Sequence, residues 1–465
     1  MPASIEFLDV SPKIVPVGKK VHVRVRALFF QRSPSFLQKD GSTLVMKYFC
    51  DDKVLDSGDI AQPVEGLDLD PLPFTIEDDC IHFEFTATRE DEYSFILLTV
   101  SPEKVQTGQY VFKIYALEQD LFELRPFKGD FHVHGSWSRC GNRDEDHKYV
   151  LKTARKYGLD FFALTEHQQH EPSRLLRQYA KDLGTECTVL TGEECHSLKE
   201  KRPTFFISNV SYPSNHIVSV GAREGVADYV NSHFEEYQAD LARRMEALPG
   251  NLGPHAKEIM ASADYIMDKI HEFGGIVIFA HPFWRSGERC NLPRPVREHI
   301  MQQGKYDAIE VIGLGKTLVR INMLRMANME TVAWWQEESI KKGKLIPLVG
   351  DTDSHHSDQL LGRQYTIAFA KSNAMEDICQ AVKDGSTVAF MDYENENPYG
   401  FGSFRLLKYA YFLLRDYFPL HDAMCRNEAD LIEGEYSGRY KPGTVKAFAQ
   451  GKRDELFARY FYCDK

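Results

Sequence analysis

Two histidines at the end of a short apolar run are the residues of this chain best suited to chemistry. The run reads Asp-Phe-His-Val-His from Asp130 to His134. Side chains alternate along a β-strand, so His132 and His134 point to the same face, about 7 Å apart at their Cα atoms. Two imidazoles that converge in this way form half of a metal site. Such a pair also arises by chance, so the interpretation depends on whether further ligands follow other strands.

Seven apolar runs predict the strands that would bring such ligands together. They are Phe131–Val133, Phe161–Leu164, Thr188–Leu190, Ile217–Val220, Ile276–Ala280, Ala308–Ile312 and Leu345–Val349. Continuous apolar runs separated by helical segments are typical of parallel strands with both faces covered. Seven of them predict an α/β fold with a closed or nearly closed β/α barrel. In such barrels the active site lies at the C-terminal ends of the strands, so polar residues should follow each run.

Residues able to bind a metal lie at nearly every strand end. They are Thr165-Glu166-His167 after the second run, Gly192-Glu193-Glu194 after the third, His216 at the fourth, His281 after the fifth, Glu310 in the sixth, and Asp353 and His355 after the seventh. Imidazoles combined with carboxylates suit Zn²⁺, Mn²⁺ or Fe²⁺ better than Mg²⁺. A carboxylate placed between two cations can bridge them, and paired metal ions can share a hydroxide nucleophile.

The order and type of these residues resemble the PHP (polymerase and histidinol phosphatase) metallohydrolases over about residues 127–392. The resemblance rests on the segments His132–Ser138, Thr165–His167, Gly192–Glu194, Ala280–Pro282 and Asp353–His355, which are specific when they occur together in this order. It implies a distorted seven-stranded β/α barrel. It also implies a ligand set, with His132, His134, Glu194 and Asp353 on one metal, Glu194 bridging to a second metal held with His216 and His281, and His167 and His355 on a third.

The chain departs from the family pattern near its first two motifs. Glu166 stands where the family usually has Asp, which is compatible with a supporting role at shifted geometry. Arg139 and Cys140 follow Ser138, where the family usually has another ligand of the third metal, and an arginine cannot bind a cation. Either Cys140 binds as a thiolate, or two metals are present and Arg139 contacts a substrate anion. Later residues that could substitute are Asp144, Asp146 and His147.

The fourth strand leaves two histidines to choose between. His216 opens a His-Ile-Val run that fits the fourth strand, whereas His196 is nearer to Glu194 in the sequence. Strand context favours His216 as the ligand. Glu310 is interpreted as supporting the ligands. Arg285 lies after His281 where it could meet a substrate anion, although a structural role fits its position as well.

Three regions are predicted along the chain. Residues 1–125 carry alternating runs such as Ile81–Thr86 and Tyr110–Tyr115, which predict an N-terminal antiparallel β-sandwich. Residues 126–394 correspond to the PHP-like barrel. Residues 395–465 are aromatic and helical, and they are interpreted as a cap, a packing extension or a contact in a homo-oligomer.

Composition bounds the partners and the compartment. A net charge of −12 predicts no extended nucleic-acid surface, but it leaves room for a small anionic substrate. The 9 cysteines contain no CxxC pair and predict free thiols in a reducing compartment. No signal peptide and no apolar run long enough for a membrane span are recognised, so we expect a cytoplasmic protein that does not contact a membrane.

The predicted function is that of a metal-dependent phosphoesterase with two or three divalent ions of zinc, manganese or iron. A metal-bound hydroxide would attack phosphorus, Arg139 or Arg285 would stabilise the developing charge, and His167 or His355 would protonate the leaving group. Two alternatives stay open. The same site could hydrolyse an amide, an ester or a carbamate, or the chain could be a non-catalytic binding protein built on the β-sandwich.

Overall fold

A computed structural model of the chain describes residues 8–28, 36, 41–50, 71–197, 214–286, 289–312, 318–392 and 397–463. Within these ranges the chain is mixed α/β and divides into two compact units. Unit 1 comprises Met1–Leu124, Phe412–Pro419 and Gly451–Lys465, and unit 2 comprises Arg125–Tyr411 and Leu420–Gln450. The helical segment at the C-terminal end therefore contributes residues to both units.

Unit 1 contains two four-stranded sheets with a shared apolar core. Its elements are β1 (Leu8–Ser11), β2 (Ile14–Pro16), β3 (Lys20–Ala27), β4 (Thr43–Cys50), β5 (Thr75–Glu77), β6 (Cys80–Thr86), β7 (Asp91–Val100), β8 (Gln106–Leu117) and helix α1 (Gln119–Phe122). The sheet orders are β1-β3-β6-β5 and β2-β8-β7-β4. Alternate residues of β3 and β6 are buried. The ring of Phe83 in β6 lies 5.3 Å from that of Phe95 in β7, so the two inner faces meet.

Unit 2 carries the strands and helices of the predicted barrel region. Its strands are β9 (Arg125–Val133), β10 (Phe161–Leu164), β11 (Thr188–Leu190), β12 (Gly192–Cys195), β13 (Ile217–Val220), β14 (Ile276–Phe279), β15 (Arg285–Ser286), β16 (Arg289–Cys290), β17 (Ala308–Ile312), β18 (Leu348–Gly350), β19 (Gln364–Ala370), β20 (Thr387–Met391) and β21 (Tyr399–Phe401). Each of the seven apolar runs contains a strand, as predicted.

The helices of this region connect the strands. They are α2 (His147–Lys156), α3 (Glu171–Leu183), α4 (Val226–Ser232), α5 (Phe234–Ala247), α6 (Pro254–Glu272), α7 (Arg294–Gln303), α8 (Leu318–Lys342), α9 (Ser357–Leu360) and α10 (Met375–Lys383). Towards the C-terminus follow α11 (Phe404–Asp416), α12 (Phe418–Tyr436), α13 (Thr444–Ala449) and α14 (Lys452–Tyr460). No helix in the described ranges is both long and apolar enough to cross a membrane. All nine cysteines lie in these ranges, and each is a free thiol there.

Strand direction in unit 2 differs from the all-parallel arrangement that the sequence predicts. The strands form a sheet in the order β11-β10-β9-β19-β20-β21 and a second sheet in the order β12-β13-β14-β17-β18. Strand β13 is antiparallel to β12 and β14, and β19 is antiparallel to β9. A continuous apolar run reports burial on both faces but carries no information on strand direction, which explains the error.

Two isolated bridges join these sheets at one end. Val133 pairs with Ser354, and His167 pairs with Glu194. The His134 N–H donates to the Ser354 carbonyl at 2.8 Å. The sheets therefore meet at the residues that the sequence predicts as metal ligands.

Helix α12 is held within unit 2 by a buried charge network. Arg155 of α2 donates to Glu428 at 2.7 Å and to Asp160 at 3.2 Å. The His421 ring lies 2.9 Å from the same Asp160 oxygen. All four side chains are almost fully buried, so each charge depends on the others for compensation. His421 thus has a packing role.

We expect Arg155→Ala to lower the free energy of unfolding by about 3–5 kcal/mol, because it leaves the buried Glu428 carboxylate without its cation and removes one donor to Asp160. Urea denaturation measures the change. The matched control is Arg174→Ala in helix α3, which removes an exposed arginine paired with Glu171 of that helix. It should leave the midpoint almost unchanged. Equal midpoints for the two variants would contradict the assignment.

Candidate metal centre

The carboxylate of Glu194 lies at the centre of a histidine cluster. Its side chain is 1% exposed. Six imidazoles place a ring nitrogen near its two oxygens. The distances are 2.6 Å from His167, 3.4 Å from His134 and 3.6 Å from His132 and His196 to Oε2, and 2.6 Å from His216 and 3.5 Å from His281 to Oε1.

The strand pattern explains why Glu194 faces this cluster. Side chains alternate along β12, so Glu193 and Cys195 point away from it. Glu193 accepts a hydrogen bond from the Val226 N–H, and Cys195 packs in the apolar core of unit 2. Gly192 is required where β12 passes β13, because a Cβ there would lie 2.7 Å from the Ser219 carbonyl oxygen.

A second carboxylate, Asp353, approaches the same histidine pair. Its Oδ1 atom lies 2.9 Å from His134 Nε2, 3.4 Å from His132 Nε2 and 3.5 Å from His355 Nδ1. The two Nε2 atoms of the pair are 3.2 Å apart. His132 and His134 therefore lie between Glu194 and Asp353, as expected of ligands that share a metal with both.

The contacts around these carboxylates have the character of shared cation ligation. Within the described residues, neither oxygen of Glu194 nor Oδ1 of Asp353 has a hydrogen-bond partner, although imidazole nitrogens approach closely. Nitrogen and oxygen lone pairs that meet without hydrogen-bond alignment are the donor set that a divalent transition metal takes. The residues present thus fit metal ions.

Charge in the cluster keeps its central carboxylate ionised. Burial by itself would raise the pKa of Glu194, but the imidazoles of His167, His216 and His132 hold it well below its ordinary value. Burial lowers the pKa of His216 to about 3, despite the nearby Glu194 charge. The ionised Glu194 and the neutral His216 ring are in the states in which these groups ligate a cation. Despite burial, neighbouring carboxylates hold the pKa of His132 and of His167 well above its ordinary value, so these two rings release a proton when they bind a metal.

Hydrogen bonds at the far side of the rings orient the ligands. Glu310 Oε2 lies 3.2 Å from His132 Nδ1 and also accepts a hydrogen bond from the backbone N–H of His281 at 3.2 Å. His355 Nδ1 lies 2.8 Å from the Asp353 carbonyl oxygen, to which it donates. In both rings a proton on Nδ1 leaves the Nε2 lone pair for a metal. Glu310 supports the ligands in the way the sequence predicts.

Glu166 holds the loop after β9. It accepts the Gly135 N–H at 2.9 Å and the Ser138 hydroxyl. Ser138 Oγ in turn lies 3.2 Å from His134 Nδ1 and accepts the His167 N–H at 3.1 Å. The longer glutamate therefore orients His134 and His167 through Ser138.

The first and last strands of the site are locked together by reciprocal hydrogen bonds. Asp130 accepts the N–H groups of His132 at 3.0 Å and Thr352 at 3.2 Å. Asp351 accepts the Phe131 N–H at 2.7 Å. These bonds fix the strand ends that carry the first and last ligands.

Two candidate ligands, His281 and Asp353, have backbone φ angles that residues other than glycine seldom adopt. The φ angle is 25° at His281 and 46° at Asp353. Positive φ at residues other than glycine is uncommon and clusters at functional sites. The surrounding hydrogen bonds therefore hold the backbone of these two residues in an unusual conformation that places their side chains in the cluster.

The structure brings all the predicted metal ligands to this cluster: His132, His134, His167, Glu194, His216, His281, Asp353 and His355. It also adds His196, whose Nε2 lies 2.9 Å from His167 Nδ1 and whose ring lies 4.3 Å from that of His216. Both His196 and His216 therefore lie beside Glu194. His196 follows Glu194 by two positions, and the period of a strand could have identified it.

The two predicted arginines have different surroundings. Arg139 is exposed in the turn after Ser138 and forms no ion pair within the described residues. Arg285 donates to both carboxylate oxygens of Glu330, at 2.7 and 2.9 Å. Its charge is therefore compensated within the protein, so Arg285 fits the structural role that the sequence also allowed.

Comparison with known proteins returns relatives of limited similarity, and no family model matches the chain. A curated relative, DNA polymerase/3′-5′ exonuclease PolX of Bacillus subtilis, is 25% identical over 187 residues, which cover 40% of this chain. The chain spans about a quarter of that protein's length, since the match covers 25% of it.

Two solved structures resemble the chain. A two-domain protein of Bacteroides vulgatus, described as containing a predicted PHP-like metal-dependent phosphoesterase, is 18% identical with a TM-score of 0.35, and the match covers 58% of this chain and 66% of that one. Endonuclease Q, in complex with a 27-mer duplex substrate, is 15% identical with a TM-score of 0.31, and the match covers 56% and 57%. The similarity to PHP-like proteins that the motifs predict is confirmed.

The match to Endonuclease Q contradicts the prediction that excluded an extended nucleic-acid surface. That protein binds a duplex substrate with an abasic lesion at its active site. Net charge averages over the whole molecule and does not report the charge near one site. An acidic total therefore does not exclude a local nucleic-acid surface.

We expect Glu310→Ala to weaken metal binding about 10- to 100-fold, because His132 and His281 lose the carboxylate that orients them. Competition with a chelator of known affinity measures the change. Glu330→Ala, which removes the partner of Arg285, is the control and should bind metal like the wild type. Unchanged metal affinity in Glu310→Ala would show that Glu310 has no supporting role.

Proposed function

We propose that this chain is a PHP-type metal-dependent hydrolase that cleaves phosphate esters. The observation that carries the proposal is the pair of buried carboxylates, Glu194 and Asp353, whose oxygens face imidazole nitrogens without hydrogen-bond partners in the described residues. A site of this composition is costly to maintain in a protein that does not use it, because buried charges need compensation.

The finer fold assignment is part of the same proposal. Strands β9, β10, β12, β13, β14, β17 and β18, joined by the two isolated bridges, would constitute the distorted seven-stranded barrel. The two sheets of unit 1 would constitute the N-terminal β-sandwich. Residues 126–394 would then be the catalytic domain, and residues 395–465 an extension of both units.

The ligand atoms group into overlapping sets. His132, His134, Glu194 and Asp353 would hold a first metal, Glu194 with His216 and His281 a second, and His167 with His355 a third. His196 is within reach of the second and third sets. Divalent ions of zinc, manganese or iron would supply Lewis-acid charge and would lower the pKa of water.

The histidines of the cluster differ in their exposure to solvent. His132 and His134 are 1% and 0% exposed, whereas the His167 and His355 side chains are each 10% exposed. The cluster is therefore buried around His132 and His134 and accessible near His167 and His355, where a substrate would enter. A ring there that holds no metal is placed to give a proton to a leaving group.

Arg139 favours an anionic substrate. Its guanidinium follows Ser138 in the turn beside His167, is exposed, and has no carboxylate partner among the described residues. A planar guanidinium matches the oxygens of a phosphoryl group, whereas a neutral amide or carbamate gives it less to bind. Phosphate esters are therefore the substrate class that we favour over carbon-centred electrophiles.

We expect purified protein with bound metal to hydrolyse phosphate mono- or diesters, and His132→Ala to lose activity at least about 100-fold, because the Nε2 donor is removed. The measurement is a panel of small monoesters, small diesters and single- and double-stranded oligonucleotides, with amides and carbamates beside them. His22→Ala, which changes an exposed histidine of unit 1, is the matched control and should retain activity.

The substrates that the protein hydrolyses decide between the proposed function and its alternatives. Hydrolysis of the amides or carbamates alone would replace the proposed substrate class with the carbon-centred alternative. A folded protein that binds no divalent metal would refute the hydrolase and would favour the non-catalytic binding protein.

A further inference from the structure

We propose that Cys140 is a thiolate ligand of the metal held by His167 and His355, which makes that position a mixed cysteine–histidine site. The inference rests on the proposed function, since it assigns a ligand within the same centre. It concerns the point at which this chain departs from the family pattern, directly after Ser138. The thiol Sγ lies 3.1 Å from His167 Nε2.

The turn that carries Cys140 is fixed on both sides. The Gly141 N–H donates to the Ser138 carbonyl at 3.0 Å, and the Asn142 N–H donates to the His355 carbonyl at 3.0 Å. A Cβ on Gly141 would lie 1.9 Å from the Gly135 carbonyl oxygen, so only glycine fits there. Cys140 is therefore anchored between the two motifs that supply His167 and His355.

The two histidines present their ring nitrogens in the same region. His134, His167 and His355 each offer a nitrogen, and the three atoms lie within 4.8 Å of one another. The bond from His355 Nδ1 to the Asp353 carbonyl leaves the Nε2 lone pair for a cation. The His167 ring turns Nε2 to the thiol and Nδ1 to Glu194.

Buried carboxylate oxygens of the main cluster lie at the other nitrogens of these two rings. Glu194 Oε2 lies 2.6 Å from His167 Nδ1, and Asp353 Oδ1 lies 3.5 Å from His355 Nδ1. Within the described residues both oxygens lack a hydrogen-bond partner. The main cluster therefore reaches the Nδ1 sides of His167 and His355, and the thiol adds a donor at His167 Nε2.

The other candidates for this ligand make their described contacts away from His167. Asp146 caps helix α2 by accepting the Tyr149 N–H at 2.8 Å, and it also accepts the Tyr436 hydroxyl at 2.7 Å. The ring of His147 packs 5.7 Å from that of Trp137. Asp144 is exposed, and its N–H is held by the Asn142 side chain at 3.1 Å. Cys140 is the candidate that lies beside His167.

A thiolate changes the chemistry of this position. Soft sulfur ligands select zinc or iron over manganese and magnesium, which prefer oxygen. Binding converts the thiol to a thiolate and releases one proton to solvent for each metal bound. The position should therefore be selective for zinc or iron even where the remaining ligands also accept manganese.

The test uses the full chain loaded with Co²⁺, because a thiolate bound to Co²⁺ gives a near-ultraviolet charge-transfer band that imidazole and carboxylate do not give. We expect the band in the wild type and its loss in Cys140→Ala, with one fewer metal ion per chain by elemental analysis. Cys463→Ala, which removes the other exposed thiol, is the matched control and should retain band and metal content.

Alkylation provides a readout that does not depend on cobalt. Iodoacetamide should label Cys140 in the metal-free protein, and added zinc should protect Cys140 but not Cys463, as read by mass spectrometry. Urea midpoints close to the wild-type value establish that both variants fold.

The outcomes separate this inference from the proposed function. A wild-type protein that binds cobalt without the charge-transfer band, or a Cys140→Ala variant that keeps the band, overturns the thiolate ligand and leaves the hydrolase intact. A folded wild-type protein that binds no metal overturns the proposed function itself.

Discussion

The negative charge of Glu194 is the constraint around which unit 2 is arranged. A carboxylate that is 1% exposed has lost its hydration, and the cost of several kcal/mol must be offset by nearby positive charge or donors. The fold meets this demand with imidazoles from several different elements. The same imidazoles are the ligands of the metal centre that we propose, so the electrostatic requirement of folding and the proposed chemistry of the site have one solution.

The supporting bonds show how this cluster keeps its shape. Glu310 orients the His132 ring and holds the backbone N–H of His281, and Ser138, held by Glu166, contacts the His134 ring and the backbone N–H of His167. All of these supporting groups are buried, although Ser138 lies in the same turn as the exposed Arg139 and Cys140. The open side of the site thus belongs to a turn that Glu166 and Ser138 hold against the sheets.

Much of the centre could be predicted from the sequence, because strand ends carry a local signal. The pair His132 and His134, the acid Glu194 and the final Asp353 each follow an apolar run. His216 is favoured over His196 in the sequence because it opens a strand, whereas His196 follows Glu194 by two positions directly after β12. The direction of β13 and the positive φ of His281 depend on tertiary contacts, which no local pattern encodes.

The reciprocal bonds between Asp130, Asp351 and their neighbours have a consequence for biosynthesis. The groups they join are separated by 220 and 222 positions in the chain. A ribosome adds residues from the N-terminus, so the first histidine pair is made long before the partners that complete its surroundings. Assembly of the proposed metal centre would therefore follow the synthesis of Asp353 and His355, and a chain truncated before them would lack two of its candidate ligands.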